Sequence, residues 1–234
     1  MSLCVTVYSS LGIVMGADSR STMALKKDEV DSQGNPTSTI VGSKFFDNAD
    51  KIILMPNNYG LSWSGDAEIN GVYIGNIFMD FIDAKIKAST TLDDTVTDFE
   101  NHLKTLPCIP KGQAVFAGYQ SQKKNGRRIR TVSTCDNTKT DIPTSEIGIF
   151  HSGENGILKR IFNNVTVELP NNEKEHLESL MPLLNFMTLQ DCIEYVKILI
   201  GFAGKLLDYS GFASTVGGPT KLLVFAPGQK PVWI

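Results

Sequence analysis

Residues 1–20 read Met1-Ser2-Leu3-Cys4-Val5-Thr6-Val7-Tyr8, then Ser9-Ser10-Leu11-Gly12, then Ile13-Val14-Met15-Gly16-Ala17-Asp18-Ser19-Arg20. Leu3 to Tyr8 and Ile13 to Ala17 are apolar and rich in β-branched residues, and Ser9 to Gly12 is turn-forming, so the segment predicts a hairpin. Ser2 is small, and small second residues are those after which cytoplasmic processing removes the initiator Met. Removal leaves a serine that carries both a hydroxyl and a free α-amine. That amine has a reference pKa of roughly 7.7–8.0 and is partly neutral near pH 7. It can accept the hydroxyl's proton, so one residue supplies nucleophile and base. Many chains begin Met-Ser, and the rest of the sequence has to decide whether this pair is used.

The composition is that of an ordinary globular protein: 234 residues, 41% hydrophobic, 20% charged. A formal net charge of −3 argues against nucleic-acid binding, which favours a basic excess. The most apolar stretch, Val196 to Leu207, is interrupted by Lys197 and Lys205, so no membrane span is expected. Cys4, Cys108, Cys135 and Cys192 form no C-x-x-C pair, and no basic n-region precedes the first strand; the expectation is a cytoplasmic chain with reduced thiols. An enzyme, a binding domain and an assembly subunit all survive these limits.

Further strands are expected at Lys51 to Met55, Tyr59 to Ser64, Gln113 to Tyr119, Arg128 to Cys135, Ile147 to His151, Lys221 to Phe225 and Val232 to Ile234. Helical periodicity covers Asp66 to Lys87, the stretch opening at Thr91 with Asp94 as its capping partner, Glu173 to Leu184, and Thr188 to Tyr209. Residues 23–48 are polar, carry Gly34 and Pro36, and read as a long excursion or loop. Strands, two helices, strands, two helices, strands is an α+β order. Two antiparallel sheets stacked and covered by helices, a four-layer αββα sandwich within a single domain spanning 1–234, satisfies it.

No cofactor or metal is expected, because His102, His151 and His176 lack the short spacings of metal ligands. The basic run Lys123, Lys124, Arg127, Arg128 and Arg130 reads as a solvated hairpin tip.

Three further motifs follow Ser2 in order: Gly16-Ala17-Asp18-Ser19-Arg20-Ser21-Thr22, Asp50-Lys51-Ile52-Ile53, and Ser62-Trp63-Ser64-Gly65-Asp66-Ala67. With Ala117-Gly118-Tyr119, Ser152-Gly153 and Val216-Gly217-Gly218, they resemble the proteasome β-subunit family of N-terminal-nucleophile hydrolases. The opening Met1 to Val5 looks especially like bacterial proteasome homologues of the Anbu type. The resemblance spans nearly the whole chain. It implies that Ser2 is the nucleophile, with its α-amine as base relayed by a water or Ser152. It implies that Lys51 lowers the effective pKa of the attacking group and that Asp18 holds Lys51. Gly65 would offer its N–H to the oxyanion, and Trp63 and Thr22 would bind substrate, the Trp making a shallow pocket. It further implies a peptide or unfolded-protein substrate, a homo-oligomeric ring or helical array, and an ATP-dependent unfoldase as a candidate partner. Two departures stand out. Asp18 and Lys51 are about twice the family's interval apart, which makes 23–48 an insertion. Where the family has an Asp before its Gly-Gly, this chain has Ala213, leaving Ser214 or Thr215 as hydroxyl substitutes. A small-molecule amidase and a non-catalytic assembly subunit are the alternative functions, and Cys4 is a minor alternative nucleophile.

Overall fold

The computed structural model describes residues 2–30, 33, 36–120, 126–154, 156–162, 165–168, 173–177, 182–210 and 214–234. The chain opens with β1 (Leu3–Tyr8), β2 (Ile13–Ala17), β3 (Ser21–Val30), β4 (Pro36–Phe46), β5 (Ile52–Leu54) and β6 (Tyr59–Gly65). A small ribbon, β7 (Glu68–Ile69) and β8 (Val72–Tyr73), precedes α1 (Ile74–Lys85) and α2 (Leu92–Thr105). Then come β9 (Gly112–Tyr119), β10 (Arg127–Ser133), β11 (Thr138–Ile142), β12 (Gly148–Gly153), α3 (Gly156–Phe162), β13 (Val165–Glu168) and β14 (Lys174–Leu177). A 3₁₀ turn at Leu184–Phe186 leads into α4 (Leu189–Tyr209), and β15 (Lys221–Phe225) and β16 (Val232–Trp233) close the chain.

Two five-stranded antiparallel sheets form the centre. One runs β12-β1-β2-β15-β16 and the other β11-β10-β9-β6-β5. Side-chain alternation sorts their residues into three apolar clusters. Leu3, Val5 and Val7 pack with Val196, Ile200 and Ala203 of α4. Cys4, Met15 and Leu223 of the first sheet share a cluster with Ile52, Val115 and Ala117 of the second. Leu61, Trp63 and Phe116 pack with Phe78 and Phe81 of α1 and Phe99 of α2. Because β1 is covered on both faces, all six of its residues are buried, which is why its sequence reads as an apolar run rather than an alternation.

Helix α2 is capped as expected, with the Thr91 hydroxyl accepting from the Asp94 N–H. A full capping box of Thr188 and Asp191 starts α4.

The structure departs from expectation in several places, and β11 and α3 were not anticipated at all. Residues 68–73 are the β7–β8 ribbon, not helix, and helix α1 begins only at Ile74; Asn70 and Gly71 both take positive φ, the turn that an Asn-Gly pair favours. Residues 174–177 are strand β14 paired with β13, so cross-strand pairing overrides the helical propensity of that segment. Residues 21–30 and 36–46 are strands, not a loop, in an antiparallel hairpin with a bulge between Leu25 and Lys26. Finally, Arg127 is buried, not a solvated tip residue, and Lys123 and Lys124 of the same run lie outside the described residues. Among the described residues no helix is long and apolar enough to cross a membrane.

Candidate active site

Antiparallel pairing of β1 with β2 sets Cys4 opposite Ala17, so Asp18, one step past β2, falls beside Leu3. The Leu3 N–H donates to Asp18 Oδ1 at 2.8 Å. On the other edge of β1, β12 brings Ser152 opposite Cys4 and Gly153 opposite Leu3. Gly153 sits at φ +93°, and a Cβ there would come within 1.7 Å of the Ser2 carbonyl oxygen, so only glycine fits. The same oxygen accepts the Glu154 N–H at 2.6 Å. Ser2 is thereby held by its own backbone at the end of the first sheet.

The second sheet brings Lys51, immediately before β5, and Gly65, the last residue of β6. The Trp63 N–H donates to the Lys51 carbonyl at 3.0 Å, tying the two strands at this point. Lys51 Nζ donates to Asp18 Oδ1 at 2.7 Å and to the Arg20 carbonyl. Both side chains of this pair are buried, Asp18 completely. A buried ion pair is tolerated only when its remaining lone pairs are also satisfied. Here the Arg20 and Gly217 N–H groups both donate to Asp18 Oδ2, each at 3.1 Å.

Ser2, Lys51, Trp63 and Gly65 line one pocket, which has about 20 Å³ of free volume. That is room for little more than one water-sized group. Trp63 forms part of its wall: its Nε1–H donates to the Asp66 carbonyl at 3.0 Å, and its ring meets Phe78 edge-on at 5.2 Å between centroids. On the other side of Ser2 an open groove is lined by Thr22, Ser64, Gly65, Asp66 and Gly153. Gly65 has φ +154°, and a Cβ there would meet the Lys111 carbonyl oxygen at 2.2 Å. The structure therefore brings Ser2, Asp18, Lys51, Gly65 and Trp63 to one end of the two sheets. Ser152 is adjacent through β12, and Thr22 lies on the groove side.

Several hydroxyls here have no hydrogen-bond partner among the described residues: the buried oxygens of Thr22, Ser62, Ser64, Ser152 and Thr215. Ser62 and Ser64 were not anticipated from the sequence. They face the space between the sheets because Leu61 and Trp63 face α1, and that alternation was their available signal. Ser214 differs from its expected role as an amine partner, since its hydroxyl accepts from Arg20 Nη1 at 2.8 Å and donates to Asp208 at 2.6 Å. Ala213 lies outside the described residues. Arg20 was also missed as a fixing element. Its guanidinium grips Asp47 with two bonds of 2.8 and 3.0 Å, which raises its own pKa and holds the Asp47 carboxyl below its usual value.

Cys4 is unsuited to be the nucleophile. Burial, opposed by the Lys51 charge, pushes its thiol up to about 12, and its Sγ–H points at the Trp63 carbonyl. Burial also lowers the pKa values of His102, which stacks on Phe81, and His151, which stacks on Phe162. Among the described residues no three His, Cys, Asp or Glu side chains gather as a metal site.

The two antiparallel sheets, their helices and the placing of Ser2 at the head of β1 are matched at the level of fold among solved structures. Among solved structures, the chain is similar to "Anbu (Gly-1) mutant from Hyphomicrobium sp. strain MC1", a bacterial proteasome homologue. The match covers 100% of this chain and 86% of that one, with a TM-score of 0.58 and 12% sequence identity, so the likeness is one of fold. No protein-family model and no curated protein matches the sequence.

Proposed function

We propose that this chain is a proteasome-like peptidase whose nucleophile is Ser2, exposed by removal of Met1. The observation that supports it most is the shared pocket of Ser2, Lys51 and Gly65, with Lys51 held on a fully satisfied Asp18. The Ser2 hydroxyl oxygen attacks the scissile carbonyl carbon while its proton passes to the Ser2 α-amine, directly or through Ser152 and a water. The charge that develops on the carbonyl oxygen is met by the Gly65 N–H, and the fixed Lys51 cation favours the negative attacking group. The tetrahedral intermediate expels the amine, which takes the proton held by the α-amine, and leaves an ester on Ser2. Water then repeats the sequence to release the acid. The small pocket walled by Trp63 suits a small side chain beside the scissile bond.

The same reading makes the architecture a single-domain αββα sandwich of four layers, with 23–48 as an inserted hairpin. The chain assembles in the cytoplasm into a homo-oligomer with enclosed sites. An exposed stripe on α4, made of Ile198, Phe202, Leu206 and Tyr209, supports the assembly. An ATP-dependent unfoldase would feed folded proteins to such a chamber. Thr215, whose buried hydroxyl has no partner among the described residues, stands in for the family's missing Asp.

Turnover of fluorogenic peptidyl amides by the mature chain tests this. Activity is expected from the native sequence and from Ser2→Thr, and none from Ser2→Ala. Turnover of small non-peptide amides alone would make the chain an amidase. No turnover of either, with assembly intact, would make it a structural subunit.

A further inference from the structure

The open groove beside Ser2 encloses about 670 Å³ and carries Asp66, Lys111, Asp136 and Lys159 on its walls. Its two carboxylates are already engaged. Asp66 Oδ2 accepts the Lys111 N–H at 2.8 Å. Asp136 sits in the turn between β10 and β11, and bonds from Ser133 and Thr138 hold its carboxyl below the usual range. The two ammonium groups are not engaged: among the described residues neither Lys111 nor Lys159 forms an ion pair. Ser64 lines the same groove, and its buried hydroxyl has no partner among the described residues.

Both lysines are exposed, and they reach the groove from different sheets. Lys111 is anchored beside the reaction centre by its backbone. Its carbonyl accepts the Asp66 N–H at 2.9 Å, and the next residue, Gly112, pairs with Gly65 across β9 and β6. Lys159 lies on α3, which follows Gly153 at the end of β12 in the first sheet. A lysine carries its charge on a flexible stem with three donors, so both can close on a group that enters the groove. The short carboxylate side chains, bonded to the protein's own donors, cannot do the same for a cation.

We infer that Lys111 and Lys159 select an acidic side chain, Asp or Glu, within two residues of the scissile bond. This rests on the reading of Ser2 as nucleophile and deepens it by naming the substrate class. The substrate is a chain with a small side chain in the pocket walled by Trp63 and a carboxylate in the groove. Ser2 and Gly65 line both spaces, so one peptide with its scissile carbonyl at Gly65 reaches both. Specificity is here a difference: Asp gains the ion pairs that Asn, of the same shape, lacks.

The test is the ratio of kcat/KM for internally quenched peptides that differ only by Asp or Asn, scanned over the two residues on each side of the scissile bond. At about pH 7.5 the Asp carboxyl and both lysines are ionised. Exposed ion pairs are weak singly, so two together should favour Asp about three- to tenfold at one position in low salt. In about 0.5 M NaCl the ratio should fall toward one. Lys111→Glu and Lys159→Glu should each lower it, and the double variant should cleave a Lys peptide faster than the Asp peptide. Lys104→Glu, on α2 outside the groove, should leave the ratio at its native value. Equal cleavage of Asp and Asn peptides at every position would overturn the inference, as would an acidic preference that survives the double substitution. Where the double variant fails to fold, the native chain's salt dependence and Lys159→Gln decide: a preference unmoved by either refutes the role of the cations. A β-lactone reports Ser2 throughout. No adduct and no cleavage by the native chain would refute the nucleophile, whereas an adduct without acidic preference refutes the groove assignment alone.

Discussion

Lys51 and Arg127 are both buried cations, and they sit in opposite kinds of surroundings. Lys51 meets a carboxylate, Asp18, and lines the pocket that contains Ser2. Arg127 has backbone oxygens as its hydrogen-bond partners: Ser9 on Nη1 at 2.9 Å, and Pro143, Thr144 and Glu146 on Nη2. Its guanidinium also lies 5.3 Å from the Tyr8 ring centroid. Burial lowers the Arg127 pKa, and the carbonyl cage ties the start of β10 to the loop before β12 and to the β1–β2 turn. One cation is positioned beside a reactive group and the other staples loops. Burial of charge alone therefore does not mark a site; the partner and the adjoining space do.

The contrast is broken most directly by removing each cation. Lys51→Ala should lower turnover by about 10²–10³-fold, the usual effect of deleting one fixed electrostatic group from a reaction centre. Folding should survive, because Asp18 keeps three backbone N–H donors. Equal turnover in this variant would remove Lys51 from the chemistry. Arg127→Met should do the reverse. Urea titration should show a loss of about 2–3 kcal/mol from the stranded carbonyls, with turnover per folded molecule within about twofold. A large loss of activity at full stability would make Arg127 more than a staple.

Gly65→Ala sharpens the site end. Its new Cβ meets the Lys111 carbonyl, so a shift of β6 against β9 should cost about 1–3 kcal/mol and reduce kcat. The smallest effect concerns the thiols. Iodoacetamide at pH 8 should modify exposed Cys108 and Cys135 in the native state and spare Cys4 and Cys192. Because the folded state raises the Cys4 pKa to about 12, its stabilising contribution is full below the unfolded value of about 8.5 and is lost as pH rises toward 12. A Cys4→Ala chain should lose less stability than the native one between pH 8 and pH 10.

The two ends also differ in how much of them was legible. Ser2, Asp18, Lys51 and Gly65 sit at strand ends marked by strong apolar runs, so periodicity attached each to a strand, while their gathering into one site was implied by the family resemblance alone. The β3–β4 hairpin was invisible because, among the described residues, its strands pair only with each other, and residues 23–48 carry no sustained apolar alternation. Arg127 was misread because its burial depends on carbonyls from Ser9 and from residues 143–146, far away in sequence. The β7–β8 ribbon did carry a signal, Asn70-Gly71, which the helical spacing of the surrounding apolar residues obscured. The bond of the Gly217 N–H to Asp18 spans nearly the whole chain, and no local pattern reports it.

The central claim is a serine that becomes N-terminal and attacks. The most direct measurement is the intact mass of the chain purified from its own host, before and after a β-lactone. Loss of one Met and gain of a single adduct, mapped to Ser2 and absent in Ser2→Ala, is the expected result. A chain that retains Met1 and takes up no adduct would contradict the claim.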